Sequence, residues 1–275
     1  MNKKILISSL LVVLISALIV FAASSQRSPT ACGGQWSSCS NANADNANTA
    51  TFTAKNDLNG SGRWNNYGFS LQNGAIITNV TVRADFFASN TRGFINVRVS
   101  GNNGATYGPS HVVGGNTAEQ TFNIDATNDL AWTPSMLNNA NFRVNATCFK
   151  SPTSGSNPTC RLDWVPVTVT YTPFDFSMSA SPSSDTVPQG ANATTTVTVT
   201  LLSGNPQTVT LFNSGCPTNA VCFFNPSSGT PTYTSEFKVQ TATQNGTTPV
   251  GTYNVVLNGL GDGVSKSINY TLTVV

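Results

Sequence analysis

The clearest signal in the chain is alternation. Val80, Val82, Ala84 and Phe86 are separated by Thr81, Arg83 and Asp85, a period of two that predicts a strand with one buried face. Phe94 to Val99 repeats the pattern, and further strands are expected at Thr49–Ala54, Thr106–Val113, Gln120–Ile124, Asn141–Phe149 and Leu162–Tyr171. Gly101-Asn102-Asn103-Gly104 and Gly114-Gly115-Asn116 supply turns between them. Thr133-Pro134 ahead of Ser135, Met136 and Leu137 predicts one helical turn crossing an end of the sheets. Pro166 has no N–H to give a ladder, so its strand must lie at an edge or bulge there. Seven or eight strands of this spacing predict an antiparallel sandwich of jelly-roll type over residues 49–172.

The second half is patterned more regularly. Phe174, Phe176 and Met178 alternate, then Val197, Val199 and Leu201 against Thr196, Thr198 and Thr200. Thr208–Phe212, Phe237 with Val239, Tyr253 with Val255 and Leu257, and Ile268 to Val274 continue the series. About seven strands in roughly a hundred residues predict an immunoglobulin-like sandwich over 173–275, without the Cys-Trp-Cys core of antibody domains. Tyr171 to Phe176 runs from one extended stretch into the next with only Pro173 between, so two sandwiches stacked end to end are expected. The fold class is thus all-β: two antiparallel β-sandwiches in tandem, jelly-roll-like and then immunoglobulin-like.

Val187-Pro188-Gln189-Gly190, Ala193 to Thr200, Phe223 to Gly229, Thr248 to Tyr253 and Ile268 to Val274 together resemble the immunoglobulin-like repeats of large archaeal and some bacterial cell-surface proteins. The resemblance covers residues 174–275. It implies a structural sandwich and carries over no catalytic residue. Asp163 to Tyr171 more loosely resembles jelly-roll modules of exported microbial proteins. Several of those bind sugars, but their ligand residues find no match here.

The ends of the pattern carry the address. Asn2-Lys3-Lys4 is followed by Ile5 to Ala23 without a charge. A cleaved leader has an apolar core of about 7–15 residues and a spanning helix needs about 20, so residues 1–23 read as a signal peptide or a transmembrane anchor. Val20 with Ala22, or Phe21 with Ala23, would serve as the small-residue cleavage pair. Residues 24–48, rich in Ser, Asn, Ala and Gly, read as a flexible polar arm. Such an arm could add a strand to a neighbouring subunit, with Thr49–Ala54 either the donor or the first strand of its own sandwich.

Composition narrows the partners. Charged residues make up 9% of the chain, against about a quarter in ordinary domains, and the formal charge is +2. Phosphate binding needs clustered basic side chains, so nucleic acid is excluded as a partner. Self-association, contact with other surface proteins, and glycans are the partners expected. The membrane is expected to be met only through residues 5–23, if they are retained.

Six cysteines fall into close pairs, Cys32 with Cys39, Cys148 with Cys160 and Cys216 with Cys222. Local disulfides are the simplest of fifteen connectivities, and they are expected to stiffen loops rather than carry the fold. Asn59, Asn79, Asn145, Asn192, Asn245 and Asn269 each open an Asn-X-Ser/Thr triplet and are glycosylation candidates in an exported chain. Trp64 and Trp132, near loops, are candidates for a sugar-stacking platform, with Trp164 a weaker one in a strand. Asp125, Asn128 and Asp129 offer oxygens to calcium, but an Asx turn explains them as well, and no metal or other cofactor is expected. The one histidine, His111, reads as an exposed loop residue. Asp85, Glu119, Asp163, Glu236 and Asp262 are scattered, so the paired carboxylates of a hydrolase are not evident and no catalytic residue is assigned. The leading expectation is an exported structural or adhesive cell-surface protein, a filament subunit assembling by strand addition being its sharpest form. A secreted carbohydrate-binding module is the alternative.

Overall fold

The computed structural model describes residues 22–56, 58–244 and 246–275. The leader or anchor, apart from Ala22 and Ala23, lies outside them. Among the described residues there is no α-helix, and no helix is long and apolar enough to cross a membrane. Strands and two short 3-10 turns, Cys39–Ala42 and Pro134–Leu137, make up the regular structure.

The first eleven strands are β1 (Ala23–Arg27), β2 (Ala31–Gly34), β3 (Ala50–Thr53), β4 (Gly60–Asn65), β5 (Ile76–Ala88), β6 (Gly93–Ser100), β7 (His111–Gly114), β8 (Gln120–Asp125), β9 (Arg143–Lys150), β10 (Thr159–Trp164) and β11 (Val167–Thr172). They form two facing sheets. In one, β5 lies between β8 and the continuous pair β10 and β11, with β3 outside β10 and β1 outside β11. In the other the order is β2-β4-β9-β6-β7. Setting β1 and β2 aside, the orders 3-10-5-8 and 4-9-6-7 are two four-stranded sheets of a jelly roll. The alternation read from sequence is the cause: Val80, Val82, Ala84 and Phe86 are all inaccessible and face Ile95, Val97 and Val99 of the other sheet. Pro166 interrupts the last strand between β10 and β11, with Pro166 O still accepting a bond from Arg83 N; the bulge expected there falls instead at Asp163, and the register on β5 is kept across the proline.

Two expectations need correction. The stretch 24–48 is folded rather than a flexible arm: β1 pairs with β11, β2 with β4, and Trp36 and Ala42 are buried in the first core. Its polar composition concealed two short strands and one aromatic plug. Thr49–Ala54 is β3 of its own sheet. The strand expected at Thr106–Val113 starts only at His111, because the Arg98 guanidinium takes the Tyr107 and Gly108 carbonyls that a strand would pair.

The remaining strands are β12 (Asp175–Ser181), β13 (Ser184–Val187), β14 (Asn192–Ser203), β15 (Val209–Ser214), β16 (Val221–Asn225), β17 (Ser228–Gly229), β18 (Tyr233–Gln240), β19 (Ala242–Thr243), β20 (Gly246–Thr247), β21 (Gly251–Gly261) and β22 (Val264–Val274). One sheet runs β12-β14-β18-β16 and the facing sheet β13-β22-β21-β15-β17, with β19 and β20 a separate pair. The first strand switches sheets between β12 and β13, and β13 runs parallel to β22. This is an immunoglobulin-type arrangement. Tyr253, near the start of β21, donates its hydroxyl to Pro249 O at 2.7 Å, the tyrosine corner of such sandwiches. Phe176, Phe237, Leu257, Tyr270 and Leu272 form a second core, separate from the first.

Candidate functional site

Period-two alternation puts Arg83 and Asp85 on the outer face of β5, opposite its core side chains. There the structure gathers the largest set of chemically active groups among the described residues. Arg83 Nε and Nη2 donate to Asp85 Oδ1 and Oδ2 at 2.9 and 2.6 Å, a two-pronged ion pair. Thr121 of β8 donates to Asp85 Oδ1 at 2.7 Å. The guanidinium lies 4.6 Å from the ring centre of Trp164, and Asp45 approaches it at 3.7 Å. Asp163 occupies the bulge in β10 where two residues face one, and is buried. The backbone of Asn46 and Ala47 donates to its carboxylate, while its Oδ1 has no partner.

The electrostatics follow from that crowding. The hydrogen bond to Asp85 raises the Arg83 pKa, outweighing burial. Burial raises the Asp163 carboxyl above the usual range, with repulsion from Asp45 and Asp85 adding to it. Glu119 is raised by desolvation and then by Asp163, Asp85 and Asp45. Sequence spacing scattered these four carboxylates, but Arg-x-Asp within an alternating strand was a legible sign of a same-face pair. The arrangement resembles a charge knot more than a reaction centre. Arg83 is held two-pronged by Asp85 and caps the Trp164 ring, and the described cavities open elsewhere.

Cavities open on the first sandwich. One of about 400 Å³ is lined by Lys55, Asn56, Leu58, Gly155 and Asn157. The buried Lys150 ammonium donates to Asn56 Oδ1, Gly155 O and Asn157 Oδ1, so three neutral oxygens consume its protons. Another, of about 240 Å³, lies over Phe69 between Asn73 and the turn at Pro134 and Ser135. Among the described residues no group of three or more His, Cys, Asp and Glu side chains is arranged to hold a metal ion. Asp125 Oδ1 accepts from Thr127 N in an Asx turn, and Asp129 is held by His111 Nε2 at 2.8 Å. His111 is therefore a paired residue of β7 rather than an exposed loop residue.

The six cysteines form the bonds Cys32–Cys39, Cys148–Cys160 and Cys216–Cys222, leaving no free thiol. The middle one does more than close a loop. Cys148 is in β9 and Cys160 in β10, so it ties one sheet to the other inside the core, where both residues are inaccessible. Trp64 is inaccessible too: its Nε1 donates to Cys39 O and its ring meets Trp36 edge-on. It cannot stack on a sugar. Trp132 is half-buried, donates to Ala126 O and packs on Phe142. Of the triplets, Asn59, Asn192 and Asn269 are exposed. Asn79 and Asn145 give their amide nitrogens to Thr127 Oγ1 and Gly62 O, and Asn245 lies outside the described residues.

One contact between the two sandwiches stands out. Asp262 and Gly263 form the two-residue turn between β21 and β22, both with positive φ, as Asp-Gly hairpins require. The Asp262 carboxylate accepts from Asn73 N at 3.3 Å and Gly74 N at 2.8 Å, and its carbonyl accepts from Gln72 Nε2. Asn205 N donates to Gly74 O at 2.7 Å. Phe174 is buried beneath Gly74 and Gly204, where an added Cβ would lie 2.6–2.8 Å from Phe174 atoms.

No protein-family model and no curated protein matches the chain. Solved structures with similar folds include domains 4 and 5 of the S-layer protein SbsC, at 18% identity and a TM-score of 0.29. That match covers 40% of this chain and 63% of the S-layer structure. The fibronectin(III)-like modules of Clostridium thermocellum CbhA match at 9% identity and a TM-score of 0.25, over 82% of this chain and 93% of theirs. At these scores the likenesses add nothing to the sandwich fold already described.

Proposed function

We propose that the chain is an exported, non-catalytic structural protein of the cell exterior in which two sandwiches act as one rigid spacer. The Asp262 clamp on the backbone of Asn73 and Gly74 carries this reading. A linker of so few residues already restricts motion, and a carboxylate held by two N–H groups fixes the remaining orientation. Three disulfides with no free thiol suit an oxidising exterior. The partners of such a spacer are other surface proteins or further copies of itself. Asn59, Asn192 and Asn269 are the triplets open to glycans. A filament built by donating residues 24–48 would first have to unpair β1 and β2 from their own sheets, so partner contact through the folded surfaces is the simpler form.

The test is small-angle X-ray scattering of residues 23–275 beside the Asp262→Ala variant. The wild type is expected to fit one rigid arrangement, and the variant a spread of inter-sandwich angles. A wild type that needs a broad ensemble, or a variant that scatters identically, would overturn the spacer reading.

A further inference from the structure

We infer that the outer face of the β2-β4-β9-β6-β7 sheet binds an acidic polysaccharide, held through Arg63 and Arg98 with Asn145 between them. This goes beyond the spacer reading and does not rest on the two sandwiches being rigidly joined.

The five strands of that sheet carry Arg63, Arg98, Arg143, Lys150 and His111 and not one Asp or Glu, whereas the strands of the facing sheet hold Asp85, Asp125 and Asp163. Register then gathers arginines that are distant in sequence. Arg63 and Arg98 both pair with Asn145, one from each side, and the three face away from the core into which Trp64, Val144, Val97 and Val99 point. Two strand spacings of about 4.8 Å set the two arginine backbones about 10 Å apart. Arg143 lies two residues from Asn145 on the same face of β9.

These charges are not answered from within. Among the described residues no ion pair involves Arg63, Arg98 or Arg143. Arg143 is buried and donates to the Asn139, Ala140 and Phe142 carbonyls, so it has hydrogen bonds but no countercharge. Burial, and then the nearness of Arg63, lower its pKa. Arg98 gives Nε and Nη2 to the Gly108 and Tyr107 carbonyls, which fixes the guanidinium in place. Arg63 is exposed. At the β7 edge Asp129 is buried against His111, and Asp125 acts on the same ring.

The neighbours of the arginines decide between occupants. Ser61, Asn65, Asn96 and Thr147 lie on the same face, supplying hydroxyl and amide groups that match the hydroxyls of a sugar. Protein partners are gripped instead by large apolar and aromatic anchors, and Val112 is the one large apolar side chain exposed on these strands. A polymer carrying carboxylates among its hydroxyls meets both the unanswered cations and the polar rows between them. The aromatic platform expected of Trp64 and Trp132 plays no part in this.

The experiment measures binding of the protein recovered from the producing cells to immobilised polygalacturonate, dextran and polyglutamate, at low and at physiological salt. Wild type is expected to bind polygalacturonate in preference to the other two, and more weakly as salt rises. Arg63→Gln is expected to weaken that binding about tenfold. Arg27→Gln removes the same charge from an exposed position on β1 of the facing sheet and is expected to leave binding unchanged. Both variants are expected to melt with the wild type. Absence of binding to polygalacturonate, equal loss in the two variants, or equal binding to dextran would each overturn the inference. So would equal binding to polyglutamate, which would make the face a site for acidic protein. None of these results alters the scattering test of the spacer.

Discussion

Two side chains show how individual groups set stability here. Tyr270 is inaccessible at the centre of the second core, edge-on to Phe237, and its hydroxyl has no hydrogen-bond partner. Burial pushes its pKa up to about 12. Removing an unpaired buried hydroxyl recovers its desolvation cost, so Tyr270→Phe is expected to stabilise the second sandwich by about 1 kcal/mol, read as a higher urea midpoint at unchanged m. Asp163 is the charged counterpart. Because folding raises its pKa, the folded state binds its proton more tightly than the unfolded state, and the stability this provides is lost as pH rises through the folded value. Glu119 shifts in the same direction. Lowering the pH from 7 toward the ordinary carboxylate range, about 4, is thus expected to relieve strain in the first sandwich. Asp125, whose pKa is lowered by its bonds from Thr127, works the other way at the acid end. Asp163→Asn should raise the urea midpoint at about pH 7 and shrink its difference from about pH 5; an unchanged difference would show that Asp163 does not set it.

At the scale of elements, the contested piece is residues 24–48. Trp36 lies inside the Cys32–Cys39 loop, is 4% exposed, and donates Nε1 to Gly60 O. Gly62 has no side chain because the rings of Trp36 and Trp64 come within 2.7–2.9 Å of where a Cβ would stand. Trp36→Ala is therefore expected to cost about 3–5 kcal/mol in the first sandwich by thermal or urea unfolding, as for any large core side chain. In a flexible arm the same change would cost nothing measurable. This element also marks the limit of what the sequence disclosed. Long alternating strands such as β5, β6, β14 and β22 were legible because a buried face repeats every second residue. β2 and β4 were not, since Ala31 to Gly34 and Gly60 to Gly62 are small residues with no apolar alternation, kept small by neighbours such as Phe52 over Gly60 and Trp36 and Trp64 over Gly62. The charge knot was half legible: Arg83 and Asp85 share a face by period two, but Asp45 and Glu119 reach it through loops that no periodicity describes. The inter-sheet role of Cys148–Cys160 was hidden for a similar reason, because a separation of 12 residues suits a hairpin clamp equally well.

At the scale of the whole molecule, the two cores are separate, yet the join makes the sandwiches depend on each other. The second core consists only of residues from 174 onward, so a fragment of residues 173–275 contains every strand it needs to fold. What it lacks is the cover over Phe174 and the donors at Gln72, Asn73 and Gly74 that hold Asp262. Phe174 is 1% exposed in the intact chain, and Gly74 closes over it from the first sandwich. Partly exposing one phenylalanine and freeing a clamped carboxylate together cost about 1–3 kcal/mol. In a domain of about 100 residues each kcal/mol lowers the melting temperature by about 4–8 °C. The fragment is therefore expected to give a cooperative transition and native-like near-ultraviolet dichroism, but to melt several degrees below the corresponding transition of residues 23–275. Asp262→Ala in the intact chain should reproduce only part of that drop, since Phe174 stays covered. Equal melting of fragment and intact chain would mean that the join orders the two sandwiches without stabilising either, and the clamp would then be a matter of geometry alone.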